Sequence, residues 1–175
     1  FPATILGRDE RADLAVLKID AGHDLPFINW GDSDAARIGE WIIAIGNPFG
    51  FGGTITSGII SARARNINAG PYDQFLQTDA SINQGNSGGP LISMAGEVIG
   101  INTAIFSPTA ASVGLAFSIP SNLARPIVAQ LVEFGRVRRG WLGVRIQRVT
   151  PEIAQQLAMD EARGAWLSII HIFEP

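Results

Sequence analysis

The stretch QTDASINQGNSGGPLI, residues 77–92, places three glycines, Gly85, Gly88 and Gly89, within two residues of Ser87. The flanking residues have strand-like sequence, and glycine weakens a strand unless the backbone needs a positive φ or a close approach. Glycines around a serine also let successive N–H groups turn toward one point and form a nest for negative charge. The stretch therefore predicts a shaped loop with a nucleophilic serine, and the alternative is a glycine-rich β-turn with an incidental serine.

The composition is that of an ordinary globular protein of one or two domains. Of the 175 residues, 46% are hydrophobic and 17% are charged, and the net charge of −3 leaves no basic footprint for nucleic acid. Cysteine is absent and histidine does not cluster with acidic residues, so neither a metal nor another cofactor is expected. The central apolar run at residues 41–45 has the length of a strand, not the roughly 18 residues of a membrane span. The chain begins at Phe1 without a signal-like segment, and we expect it to be a fragment.

Short apolar runs separated by turn signals predict a series of strands on both sides of the loop. They cover residues 2–6, 13–19, 40–46, 53–65, 74–80, 90–94, 97–105 and 113–119. Regular short strands with glycine-rich turns favour an antiparallel barrel or a sandwich. In the run DLAVLKI, residues 13–19, both alternating sets of side chains are mostly apolar, which predicts a strand buried on both faces.

The apolar spacing becomes helical after Ile119. It predicts a helix with Pro126 as its first helical position and Gly135 just beyond its end. The basic run at residues 136–139 is interpreted as a linker. The segments RRGWLGVRIQ and TPEIAQQLAM then predict a strand and a short helix of a second, small unit.

The GNSGGP loop, residues 85–90, resembles the active-site loop of trypsin-fold serine proteases, and more closely that of the bacterial HtrA/Deg proteases. Further segments resemble the family in the same order along the chain. RADLAVLKI, residues 11–19, is similar to its catalytic-aspartate strand, and residues 45–65 to the first half of its second barrel. GEVIGINTAI and VGLAFSIPS are similar to the strands of its specificity pocket, and RRGWLGV to the opening of its PDZ domain.

The resemblance implies a mainly β fold. It consists of a trypsin-like double β-barrel with an incomplete first barrel, a C-terminal helix and a partial PDZ domain. The first-barrel remnant with the inter-barrel connection, the second barrel, the helix with its linker and the partial PDZ domain correspond to residues 1–40, 41–119, 120–139 and 140–175. The last range is too short for a complete PDZ core.

The resemblance also implies catalytic roles for individual residues. Ser87 is the nucleophile, and Asp13 orients the histidine that serves as general base. The oxyanion hole falls on Gly85, Asn86 and Ser87, with the backbone N–H groups of Gly85 and Ser87 as the donors. Without the resemblance, an aspartate at a turn–strand junction such as Asp13 more often caps the turn or faces solvent.

The triad histidine is where this sequence departs from the family. The family order is histidine, aspartate, serine, whereas both histidines here, His23 and His171, follow Asp13. Neither is assigned as the base, and we expect the histidine strand to lie outside this chain. The resemblance then implies a serine endopeptidase of protein quality control, represented by a fragment that is inactive alone. The alternative is a non-catalytic, chaperone-like or peptide-binding relative that has lost its histidine.

The substrate pocket is expected to be apolar. Trypsin-like pockets that accept Lys or Arg carry an acid six residues before the nucleophile, where this chain has Ser81. The pocket strands offer Ile105, Phe106, Leu115 and Phe117, for which barrel core is the alternative, equally favoured for Phe117. The resemblance therefore implies cleavage after Val, Ala or Leu, residues that are accessible mainly in unfolded proteins.

Regulation is expected to follow the family as well. Asn86 is neutral and cannot pair with a newly cut N-terminal amine, which argues against activation by propeptide cleavage. Arg65 matches the arginine that relays an allosteric signal in the family, and a solvated loop arginine is the alternative.

The expected partners follow from the same resemblance. Trp141, Leu142, Gly143 and Val144 match the loop that binds a peptide carboxylate in PDZ domains. The implied partners of the full-length protein are unfolded or misfolded proteins, C-terminal peptides and further copies of itself in a trimer or larger assembly. The implied compartment is the bacterial periplasm or cell envelope.

Overall fold

The computed structural model describes residues 1–107, 112–140 and 143–169. The chain forms two compact units, Phe1–Val137 and Arg138–Pro175. The fold is mainly β, as the sequence predicts. None of the helices in the described ranges has the length and hydrophobicity that a bilayer crossing requires.

The first unit opens with an antiparallel hairpin of β1 (Ala3–Asp9) and β2 (Leu14–Ile19), close to the two strands predicted there. The prediction that the second strand is buried on both faces is wrong. Its face with Leu14 and Val16 packs into the core, whereas Leu17 on the other face is 59% exposed. The reason is that, within the described residues, this sheet has only two strands and is covered on one side.

Six strands form a closed antiparallel barrel, which decides between the barrel and the sandwich that the sequence left open. They are β3 (Trp41–Gly46), β4 (Thr54–Arg65), β5 (Phe75–Thr78), β6 (Pro90–Ser93), β7 (Val98–Ile105) and β8 (Ala116–Pro120). Their order is β3-β4-β5-β8-β7-β6, and the barrel closes where β6 pairs with β3. Aliphatic side chains fill its interior, and Ile42, Ile60 and Leu91 are at most 1% exposed.

The helix α1 (Ser121–Phe134) follows β8 directly and ends as predicted at Gly135, whose φ of 69° is left-handed. The prediction for Pro126 is wrong, because the helix begins at Ser121 and Pro126 lies inside it. The segment before β3 stabilises the early start: the Ser33 Oγ accepts an N–H of the first turn at 3.1 Å, and the Ser121 Oγ accepts the Ser33 N–H at 3.1 Å. These bonds hold the first turn although Pro126 has no N–H to donate.

The second unit contains β9 (Val144–Arg148), α2 (Pro151–Gln156) and β10 (Ala165–Ile169), with β9 antiparallel to β10. The predicted strand and short helix are therefore present. Gly143 has a left-handed φ of 60°, and Val144 begins β9. Trp141 and Leu142 of the expected carboxylate loop lie outside the described residues, and the assignment to a PDZ domain stays a prediction.

Candidate active site

The loop that carries Ser87 lies between β5 and β6 and packs against the end of β3. Gly85 has a φ of 102°, which side chains other than glycine rarely adopt. A Cβ on Gly85 would overlap the Asn47 carbonyl oxygen, and a Cβ on Gly89 would overlap the Ile45 carbonyl oxygen. The glycines therefore allow the close approach of two backbones.

The backbone amides of this loop have different partners. The Asn86 N–H donates to the Asn83 carbonyl oxygen at 3.0 Å, and the Gly88 N–H donates to a carbonyl oxygen of β7 at 2.8 Å. Within the described ranges, no protein acceptor receives the N–H of Gly85 or Ser87. The backbone N–H groups of Gly85 and Ser87 are therefore available to bind an anion. The backbone N–H of Asn86 already donates to Asn83, so the prediction that Asn86 belongs to the oxyanion hole is corrected.

Ser87 and Asp13 are joined through Thr103 on β7. The Ser87 Oγ donates a hydrogen bond to the Thr103 carbonyl oxygen at 3.0 Å, and the Thr103 Oγ1 donates to the Asp13 Oδ2 at 2.5 Å. Thr103 and Asp13 are 90 residues apart in the chain. Sequence reasoning missed Thr103, because a threonine within a strand carries no signal of which turn will lie beside it.

Asp13 is the last residue of the turn between β1 and β2. Its φ of 53° is uncommon for a residue with a side chain, although aspartate tolerates this region better than most. The residue is exposed, and its carboxylate accepts a hydrogen bond from the Thr103 hydroxyl. Backbone strain of this kind is concentrated at functional sites, which agrees with a role beyond closing the turn.

The described histidine does not complete a triad. The Nδ1 of His23 is 2.9 Å from the carbonyl oxygen of its neighbour Asp24, and the ring lines a groove with the outer ends of β1 and β2. His171 lies outside the described residues. A cleft of about 240 Å³ lies beside Asp13 and Thr103, with Gly70 and Tyr72 among its other walls.

A second cleft, of about 280 Å³, lies directly beside Ser87. Apart from Ser87, it is lined by Ile82, Asn83, Gln84, Thr103, Ala104, Ile105 and Ser107. None of these side chains is ionisable, and Ala104 and Ile105 are half-buried apolar residues among them, whereas Ile82 is 2% exposed. Of the five predicted pocket residues, Ile105 is the one found on this wall.

The other four predicted pocket residues have different surroundings. Phe117 is a core residue, 4% exposed, and packs edge-on against Phe75 with 6.3 Å between the ring centroids, so the core alternative is correct for it. Phe106 and Leu115 are 62% and 36% exposed and are not among the residues that line the cleft. Ser81 is exposed as well, and its carbonyl oxygen accepts the Asn86 Nδ2–H. Strand alternation explains the error for Phe117, since neighbouring residues point to opposite faces.

Arg65 lies at the end of β4 and is tied to β5. Its Nε donates to the Oε1 of Gln77 at 2.9 Å, and Gln77 is 8% exposed. The arginine is therefore held by a defined partner, unlike a freely solvated loop residue. Its predicted regulatory role stays a prediction.

Residues 1–101 match the family model described as the trypsin-like peptidase domain. Two similar proteins are named probable periplasmic serine endoprotease DegP-like. The one from Rhizobium meliloti (strain 1021) is 54% identical over 163 residues, and the one from Brucella suis biovar 1 (strain 1330) is 57% identical over 164 residues. Each match covers 93% of this chain and 32% of the relative, so the chain spans about a third of their length.

Solved structures that resemble this chain are also HtrA-type proteases or serine endoproteases. An HtrA-type protease, AlgW, solved with a tripeptide, superimposes with a TM-score of 0.86 at 49% identity, over 97% of this chain and 56% of that one. The serine endoprotease from Yersinia pestis superimposes with a TM-score of 0.69 at 49% identity, over 82% of this chain and 49% of that one. The predicted resemblance to HtrA/Deg-type proteases is confirmed, and the chain belongs to the trypsin-like peptidase domain family.

Proposed function

We propose that this chain is the nucleophile-bearing part of an HtrA-type serine endopeptidase of the bacterial periplasm or cell envelope. The observation that carries the proposal is the pair of hydrogen bonds by which Thr103 links Ser87 to Asp13. The names of the relatives, periplasmic serine endoproteases, support the reaction class and the compartment.

The proposed reaction begins with attack of the Ser87 Oγ on the carbonyl carbon of the scissile peptide, while a general base takes the hydroxyl proton. The new oxyanion accepts hydrogen bonds from the N–H groups of Gly85 and Ser87, each worth about 2.7–4 kcal/mol in the transition state. Cleavage of the C–N bond with protonation of the leaving amine by the base leaves an acyl ester on Ser87, which water hydrolyses. Asp13 holds the base in the tautomer that can accept the serine proton.

The general base in this proposal is a histidine from outside the 175 residues. The cleft beside Asp13 and Thr103 leaves room for an imidazole next to the carboxylate, and the His23 ring lines a different groove. Without a base, the nucleophile and the oxyanion donors retain only residual catalysis. The chain alone is therefore expected to be inactive.

The proposal is tested with a fluorophosphonate, which esterifies the serine of a working triad. We expect the full-length protein to be labelled on the peptide that contains Ser87, and the chain alone to be labelled far more slowly because it lacks the base. Peptide mapping by mass spectrometry locates the label. A folded full-length protein whose Ser87 stays unlabelled, while a control serine protease reacts, would contradict the proposal and favour the non-catalytic, chaperone-like relative.

Replacing Gly85 with alanine is expected to lower the turnover of the full-length protein by about 10²- to 10³-fold, because the methyl group overlaps the Asn47 carbonyl and displaces an oxyanion donor. Hydrolysis of fluorescent casein and the thermal unfolding midpoint measure the effects on catalysis and on stability separately.

The matched control is Gly96→Ala in the turn between β6 and β7. Gly96 has a positive φ of 77° but open space around its Cα, so this variant carries the backbone strain without the overlap. It is expected to lose about 1–2 kcal/mol of stability and to keep its turnover. Turnover of the Gly85 variant equal to that of the wild type would refute the oxyanion assignment.

We also propose that the cleft beside Ser87 selects small or medium apolar residues, Val, Ala or Leu, at the cleaved position. Its lining offers neutral side chains, with Ala104 and Ile105 as half-buried apolar residues, and no carboxylate to pair with Lys or Arg. Mass-spectrometric mapping of cleavage sites in denatured casein is expected to find these residues enriched. Enrichment of Lys, Arg or Glu at that position would overturn the assignment.

The remaining parts of the proposal concern substrates and partners. A need for accessible apolar residues restricts cleavage to unfolded or misfolded proteins. Residues 140–175 are proposed to be the start of a PDZ domain that binds C-terminal peptides, and similar HtrA-type proteases solved with a tripeptide or a decapeptide support peptide binding. We further propose that Arg65 has a regulatory role and that the full-length protein assembles as a trimer or a larger oligomer.

A further inference from the structure

Asn86 lies in the sequence between the two residues whose amides are proposed to bind the oxyanion, and its side chain is buried. Asn86 is 3% exposed. Its Nδ2 donates to the Ser81 carbonyl oxygen at 3.4 Å, and its Oδ1 is buried with no partner among the described residues. The donating half of the amide therefore has a defined contact and the accepting half has none.

The backbone of Asn86 forms hydrogen bonds with other residues of its own loop. Its N–H donates to the Asn83 carbonyl oxygen and its carbonyl oxygen accepts the Gly89 N–H, both at 3.0 Å. Together with the bond to Ser81, these contacts reach positions before and after Ser87. A change in the side-chain contact therefore shifts the peptide groups that carry the flanking amides.

The strand and loop segments next to Asn86, among the residues that the structure describes, contain no cation, and the carboxylate of Asp13 reaches the neighbouring Ser87 only through Thr103. A Cβ on Gly46 of β3 would overlap the Asn86 Oδ1, so that strand lies directly against it. Residues 41–46 of β3, residues 80–94 with β6 and residues 98–105 of β7 contain no Asp, Glu, Lys, Arg or His. The acid nearest in the chain is Asp79, whose Oδ1 already accepts the Ile59 N–H at 2.7 Å.

We propose that Asn86 is a positioning residue, which keeps the amides of Gly85 and Ser87 in place through the bond from its neutral, hydrogen-donating side chain to the Ser81 carbonyl oxygen. This inference rests on the proposed function, because it assigns the amides to oxyanion binding. What the position requires is a hydrogen to donate and no charge.

The variant Asn86→Asp tests this requirement within one side chain of the same shape. A protonated carboxyl can donate its O–H to the Ser81 carbonyl, whereas a carboxylate has no hydrogen and faces that oxygen as an anion. Burial without a cation raises the pKa of a carboxyl group. The neutral, working form is then present at low pH and is lost as the pH rises through the raised pKa.

The measurement is kcat/KM of the full-length protein for fluorescent casein, as the ratio of variant to wild type across pH. Taking the ratio removes the titration of the triad base, which both proteins share. We expect the ratio to be highest near about pH 6 and to fall at least about tenfold by about pH 9. The matched control is Asn29→Asp, an exposed site outside the cleft, whose ratio is expected to stay level.

The variant Asn86→Ala provides a second measurement if the aspartate variant does not fold. It removes the donor without adding charge, and we expect fluorophosphonate labelling of Ser87 to slow at least about tenfold at every pH while circular dichroism reports a folded protein. A level pH ratio for Asn86→Asp, or labelling of Asn86→Ala at the wild-type rate, would overturn the inference. Absence of labelling in the wild type would instead mean that the proposed function itself is wrong.

Discussion

The substitution Ser87→Ala is expected to lower casein hydrolysis by the full-length protein by at least about 10⁴-fold and to leave the fold intact. Alanine removes the Oγ that would form the acyl ester, and the oxyanion donors and substrate contacts that remain supply only residual catalysis. The Ser87 side chain is exposed, and within the described residues its hydrogen bond is to the Thr103 carbonyl, so its loss has little effect on packing. Hydrolysis of fluorescent casein, with circular dichroism on the same sample, measures both effects.

The control for this experiment is Ser57→Ala. Ser57 is an exposed serine on β4, and it undergoes the same chemical change outside the site. It is expected to have the casein activity of the wild type. If Ser87→Ala also hydrolyses casein at the wild-type rate, the nucleophile has been assigned to the wrong residue.

The substitution Asp13→Asn is expected to lower kcat of the full-length protein by about 10⁴-fold. The amide has nearly the shape of the carboxylate, and its oxygen can still accept the Thr103 hydroxyl that now binds the Asp13 Oδ2. The substitution removes the negative charge of Asp13. It also replaces one carboxylate oxygen, a hydrogen-bond acceptor, with an amide nitrogen, which donates. A histidine beside it would then adopt the tautomer that cannot take the serine proton.

The control is Asp24→Asn, which removes a negative charge from an exposed loop and is expected to leave kcat unchanged. Thermal unfolding of both variants separates catalysis from stability. A loss in Asp13→Asn that appears in KM alone, with kcat retained, would show that Asp13 contributes to substrate binding and not to the chemistry.

The strands of the barrel could be predicted because the signals that bound a strand lie within the strand and the turns beside it. Turn residues and short apolar runs bounded the strands close to where the structure has them, and Gly135 marked the end of α1. Pro126 was misplaced because the helix start depends on Ser33, a residue from a distant segment that bonds to the first turn. Local propensity could not include that contact.

The environment of each side chain was predicted less well than its strand. Leu17 belongs to a strand whose sequence is typical of burial on both faces, yet its side chain is exposed. A strand face is buried only where another element covers it. Phe117 and Ile105 lie on neighbouring paired strands and both are apolar, but one packs in the core and the other lines the cleft. The difference is set by the register of β7 and β8, which composition does not contain.

The sequence by itself determined the loop around Ser87 and the family to which the chain belongs. The glycines at 85, 88 and 89 indicate the backbone of this loop directly, because a positive φ or a close approach of another backbone is met without strain only by glycine. The tertiary structure alone decided that Thr103 joins Ser87 to Asp13, and that the Asn86 side chain is buried with its Oδ1 unpaired among the described residues. Those relations are between residues far apart in the chain, and barrel closure is what brings them within hydrogen-bond distance.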